Sequence, residues 1–123
     1  MSLFGPVTDS DRRRWQMRAV RVLSEILTGP GAELPPLRWS INAHAGLTGH
    51  VEIPLVDDEL DRAAARQHFD AWAQALGAQV RPPTRDLLGL RLYAFREEYP
   101  GRVDVAVIAD LGQDAPDDAA VTA

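Results

Sequence analysis

The chain has 123 residues, enough for one domain that buries a core without disulfide or metal staples. Its 46% hydrophobic and 25% charged composition is that of a soluble globular protein, and a formal net charge of −5 argues against general affinity for nucleic acid or anionic membrane. Cysteine is absent, which excludes disulfides, thiol catalysis and thiolate metal sites and suits a cytoplasmic protein.

Residues 1–8 read as a flexible N-terminal arm. They lack a basic stretch followed by a long apolar run, so no secretory signal is expected. No apolar run nears the roughly 20 residues that cross a bilayer, so no membrane partner is expected either. Asp9 or Ser10 suits the cap of a first helix, and Asp9 and Asp11 suit the positive end of its dipole. Trp15, Ala19, Val22, Leu23 and Ile26 recur at helical spacing, and Met17, Val20 and Leu27 widen the stripe. Gly29-Pro30-Gly31 supplies a left-handed stop and a breaker.

From Leu37 the period changes to two. Leu37, Trp39, Ile41 and Ala43 alternate with Arg38, Ser40, Asn42 and His44. Ala45-Gly46 suits a turn, after which Gly49, Val51, Ile53 and Leu55 alternate with Thr48, His50 and Glu52, completing a hairpin. Pro54 marks its end, and Asp57 or Asp58 caps a second helix. Ala65, Phe69, Trp72, Ala73 and Leu76 share one face of that helix, which ends at Gly77.

Pro82-Pro83 opens a loop running through Asp86. Leu88, Leu90, Leu92 and Ala94 then alternate with Arg91, Tyr93 and Phe95. Pro100-Gly101 is a turn signal, and Val103, Val105, Val107 and Ala109 alternate with Arg102, Asp104, Ala106 and Ile108. Residues 112–123, rich in Asp and Ala, read as a disordered acidic tail. Residues 9–111 then form a single α+β domain in αββ-αββ order. The expected architecture is a two-layer sandwich: a four-stranded, mostly antiparallel sheet with both helices on one face. The repeated order raises the question of an ancient duplication, although equivalent positions do not match residue by residue.

The other sheet face would be polar except for Tyr93, Phe95 and Ile108. These residues either meet a partner or lie under the arm, with Leu3 and Phe4, or under the tail. With Arg38, Arg91 and Arg102 at the rim, they are the candidate interface. Arg14, Arg18 and Arg21 share a face of the first helix and are a candidate anion-binding set. The stretch Arg91-Leu92-Tyr93-Ala94-Phe95 partly matches the RNA-recognition signature, but Leu92 stands where glycine belongs and the element order differs, so nucleic acid is not expected. His44, His50 and Glu52 lie near one another on the hairpin without diagnostic metal-ligand spacing, and no metal or other cofactor is expected. Neither a phosphate loop nor a nucleophile elbow occurs.

All 13 basic residues are Arg, and Ala is abundant. In this bias and in the stretch Leu34-Pro35-Pro36-Leu37-Arg38-Trp39 the chain loosely resembles small uncharacterised proteins of high-GC bacteria. That resemblance implies a bacterial source and no activity. In size, charge and class it is also similar to small acidic α+β secretion chaperones. The expected function is a non-catalytic protein-interaction module, a homodimer or a subunit of a complex, using the sheet face away from the helices. The alternatives are a binding module for a small-molecule or anionic ligand and, third, an enzyme of unrecognised type.

Overall fold

The computed structural model describes residues 6–42, 46–52, 59–87 and 89–112. The expected turn at Ala45, the end mark at Pro54, the caps at Asp57 or Asp58, the strand start at Leu88, most of the arm and the tail from residue 113 lie outside these residues.

Helix α1 (Asp9–Thr28) is capped one residue before the first of its expected caps. Thr8 is the N-cap: its hydroxyl accepts from the Asp11 amide at 3.1 Å, and the Asp11 carboxylate accepts from the Thr8 amide at 3.1 Å. This reciprocal box satisfies two amides that the helix leaves orphaned. The box needs an acid three residues past the cap. Thr8 has Asp11 there, whereas Asp9 and Ser10 have Arg12 and Arg13, which is why neither caps. Ala19, Val22 and Ile26 enter the core. Gly29 ends the helix at φ −117° and is not the expected left-handed stop. The amides of Gly29 and Gly31 both donate to the Ile26 carbonyl, at 3.3 and 2.8 Å. The chain thus doubles back at once, and Gly31 lies flat against the Trp72 ring, where a Cβ would collide with it.

Helix α2 (Glu59–Leu76) buries Ala65, Phe69, Trp72, Ala73 and Leu76. Here the left-handed stop is real: Gly77 has φ +66°. The Ala78 amide donates to Ala73 O at 2.9 Å and the Gly77 amide to Gln74 O at 3.1 Å, the Schellman pairing. Arg96 reaches from the sheet to donate to the Leu76 carbonyl at 2.8 Å, and its guanidinium lies 4.8 Å from the Tyr99 ring centre.

The fold is α+β: the described residues form two helices and a mixed sheet of six strands where four were expected. The strands are β1 (Arg38–Ile41), β2 (Leu47–His50), β3 (Gln79–Val80), β4 (Thr84–Asp86), β5 (Gly89–Tyr99) and β6 (Val103–Asp110). Their order is β1-β2-β6-β5-β3, with β4 also on β5. The two unexpected strands form one edge interrupted at Pro82-Pro83. Val80 pairs with Ala94 and Thr84 with Arg91, so the register slips by one between them. Proline has no amide to give a ladder, and a sheet edge tolerates the gap. Alternation alone had hidden this edge, because all of β4 and both residues of β3 are exposed.

Among the described residues all pairings are antiparallel except β2 with β6. That exception bears on the repeated αββ plan. The second strands of the two hairpins are parallel neighbours, with first strands on opposite sides and both helices on one face. Such units have opposite hands, so no rotation superposes one on the other. The repeat exists in the order of elements and not in space.

Val103, Val105, Val107 and Ala109 line the helix side of β6, each at most 1% exposed. Trp72 sits over them, fully buried, with Trp39 edge-on at 5.6 Å. Its indole Nε1 donates to the Pro35 carbonyl at 2.7 Å, and His68 Nε2 lies 2.9 Å from the same oxygen. The proline elbow before β1 is thereby fastened to α2. At the far end, Pro100-Gly101 makes the expected turn, closed by the Arg102 amide on Tyr99 O at 2.9 Å. Gly101 (φ +105°) brings this tip against Val22 of α1.

Candidate interaction face

Register places the polar-face side chains in two cross-strand rows. Arg38 pairs with His50, His50 with Ile108, and Ile108 with Tyr93. Ser40 pairs with Thr48, Thr48 with Ala106, Ala106 with Phe95, and Phe95 with Gln79. Members of the two rows are two residues apart on every strand, so all point to one side of the sheet. Both helices lie on the other side. Among the described residues no helix or strand packs over these rows.

Ile108 and Ala106 form the apolar centre, only 9% and 7% exposed. Tyr93 and Phe95 stand beside them, half-buried, with parallel rings whose centres are 6.3 Å apart. Arg81 lies over Phe95, 5.8 Å from the ring centre. Gln79 opens β3, and Arg81 follows it with its amide on Tyr93 O at 2.8 Å; neither was expected in the sheet. The signal present in the sequence was the Gln79-Val80-Arg81 run immediately before the prolines.

Two ion pairs border the rows. Arg91 grips Asp110 through Nε at 2.8 Å and Nη2 at 3.3 Å. The Asp110 hydrogen bonds hold the Arg91 guanidinium pKa above its usual value, against the opposing effect of burial. Arg38 pairs with Glu52 at the opposite side. With both arginines tied to carboxylates, the face offers no continuous track for phosphates. Arg102 sits in the β5–β6 turn at φ +63°, outside both rows. The structure therefore brings together Arg38, Arg91, Tyr93, Phe95 and Ile108 and leaves Arg102 apart.

His50 is the titratable group at the heart of the face. Its Nδ1 is buried and has no hydrogen-bond partner among the described residues. Burial, and next the positive charge of Arg38, push its pKa below 6.5. At neutral pH it is an uncharged ring adding to the apolar patch. His44, expected nearby, lies outside the described residues. Among the described residues no three metal-ligating side chains converge.

On α1, Arg14 is bonded to Asp11, while Glu25 stands on the same face as Arg18 and Arg21. The expected anion-binding set is thus interleaved with acid. An open groove of about 310 Å³ runs between Pro35 and Ala64, Gln67, His68 and Ala71 of α2. Among the described residues His68 is the one ionisable side chain lining it. No described helix is long and apolar enough to cross a membrane. Searches against protein-family models, curated proteins and solved structures find no match to this chain.

Proposed function

We propose that this protein is a small non-catalytic interaction module that buries the Tyr93–Phe95 sheet face against a protein partner, either a second copy or another subunit. The observation that carries the reading is the composition of that face. An apolar centre of Ile108 and Ala106, two half-buried aromatics and a neutral histidine are ringed by paired charges. An apolar core with aromatic anchors and a polar rim is the anatomy of protein interfaces. The Arg91–Asp110 and Arg38–Glu52 pairs keep the rim charged while neutralising both of those arginines, which suits a protein surface better than a polyanion.

Replacing both aromatics, Tyr93→Ser with Phe95→Ser, tests the self-association form. If the partner is a second copy, the variant remains folded by circular dichroism and loses, in light scattering, the added mass that this face gives the wild type. A folded variant whose mass equals that of the wild type would eliminate self-association through this face, leaving only a different protein as its occupant.

A further inference from the structure

Helix α1 carries a second apolar stripe, on the side turned away from the sheet. Met17 is 60% exposed, Val20 54% and Leu27 43%. Their spacing, with Ser24 between the last two, keeps them in line on one helical face. Arg21 borders this line, and Arg18 and Glu25 stand farther round the same flank, Arg18 half-buried. None of the three side chains makes an ion pair or hydrogen bond with a described residue, although Arg21 and Glu25 are one turn apart. Arg14, on the same flank, is already engaged by Asp11.

We propose that α1 pairs antiparallel with α1 of a second copy of this chain. The charge order on the helix is the argument. In an antiparallel pair each flank meets its own equivalent. Setting Met17 against Leu27 and Val20 against Ser24 brings Glu25 of each helix within side-chain reach of Arg21 of the other. Two symmetric Arg21–Glu25 contacts then flank the apolar stripe. Parallel pairing sets this flank against Arg12, Gln16 and Leu23, where there is no acid to receive Arg18 or Arg21. An anionic ligand is disfavoured for the same reason, since Glu25 stands between the two arginines.

The stripe is small compared with the roughly 800 Å² per partner of a standard stable interface. The dimer is therefore concentration-dependent and salt-sensitive. Its geometry has a consequence that does rest on the proposed use of the sheet face. Because α1 lies between its own sheet and the dyad, the two Tyr93–Phe95 faces point outward in opposite directions. The dimer presents them to two partner sites at once, and avidity follows. A chain that used both surfaces for self-pairing would polymerise, so the sheet face is left for a different protein.

Sedimentation equilibrium of the whole chain, from about 10 μM to about 1 mM, spans weak dimers of this kind. The expected result is a monomer–dimer equilibrium of the 13.5 kDa chain with a dissociation constant inside that range. Glu25→Arg raises the constant at least about tenfold, as does Arg18→Glu with Arg21→Glu, and an equimolar mixture of the two variants pairs more tightly than either alone. Wild-type protein that is monomeric at the highest concentration overturns the proposal, and so do charge variants that associate like the wild type. The Tyr93→Ser/Phe95→Ser variant separates the two surfaces. Its constant should match the wild type. If that variant dissociates the dimer and the charge variants do not, the contact is the sheet face: the helix pairing fails while the interaction reading stands.

Discussion

Gly31→Ala gives the sharpest test of how the helix layer is packed. Gly31 is buried and its backbone does not lie in the left-handed region. On backbone entropy alone, alanine there should stabilise by about 0.4–1 kcal/mol. The structure predicts the opposite sign, because the new Cβ would overlap the six-membered ring of Trp72 and approach the Ile26 carbonyl at 3.1 Å. Overpacking of this kind costs about 1–3 kcal/mol, so the net loss is about 1–2 kcal/mol. Trp72→Phe removes the overlapping ring atoms together with the indole bond to Pro35 O, and alone costs about 2 kcal/mol in lost packing and hydrogen bonding. In the double variant the alanine methyl occupies space the indole has left. The two costs should then fall short of additivity by about 1–3 kcal/mol. Urea denaturation of the four proteins, followed by circular dichroism, measures the cycle. A stabilising Gly31→Ala, or additive losses, would refute the proposed contact.

Thr8→Ala removes the hydroxyl half of the capping box and should cost about 1 kcal/mol in urea denaturation at neutral pH. The Asp11 carboxyl is held below its ordinary 3.8 first by the Thr8 amide and then by the Thr8 hydroxyl. A lowered carboxyl pKa gives stability that is complete above the ordinary value and disappears as pH falls through the folded one. The wild type should therefore lose more stability below pH 3.8 than Thr8→Ala does, and equal acid slopes would contradict the box. His50 works in the other pH range. Its lowered pKa means that the unfolded chain binds the proton more readily, so stability falls as pH drops through 6.5 toward the folded value. His50→Gln should flatten thermal stability between neutral and mildly acidic pH, and a profile that still falls equally would mean that His50 is not the group titrating.

What the sequence disclosed follows from how locally each feature is written. The strict alternation of Val103, Val105, Val107 and Ala109 identified a strand and its core face without help from any other segment. The α2 stripe and the Pro100-Gly101 turn were equally local, whereas on α1 the residues expected to widen the stripe, Met17, Val20 and Leu27, stand exposed. The same alternation set Tyr93, Phe95, Ile108, Arg38 and Arg91 on one face. Arg102 was assigned to that face by extending the β6 alternation one residue too far, into a turn whose backbone is left-handed there. The edge strand was illegible because Pro82-Pro83 reads as loop, and an exposed edge carries no apolar alternation to oppose that reading. The parallel pairing of β2 with β6 joins segments some 60 residues apart, and no local pattern encodes it. Gly29 and Gly77 looked alike in sequence. Only the second is left-handed, because after Gly29 the chain must fold back so that Gly31 can reach Trp72.

The claim that the sheet face is a protein interface is tested most directly by photo-crosslinking from within it. A benzoyl-phenylalanine placed at Phe95 and irradiated in the cells that make the protein should give a discrete adduct, either a second copy or one other chain. Ile108→Asp in the same protein should abolish it. The same probe at Gln74, exposed on α2, should give none. Equal adducts from both positions, or none from Phe95 in a folded protein, would contradict the account.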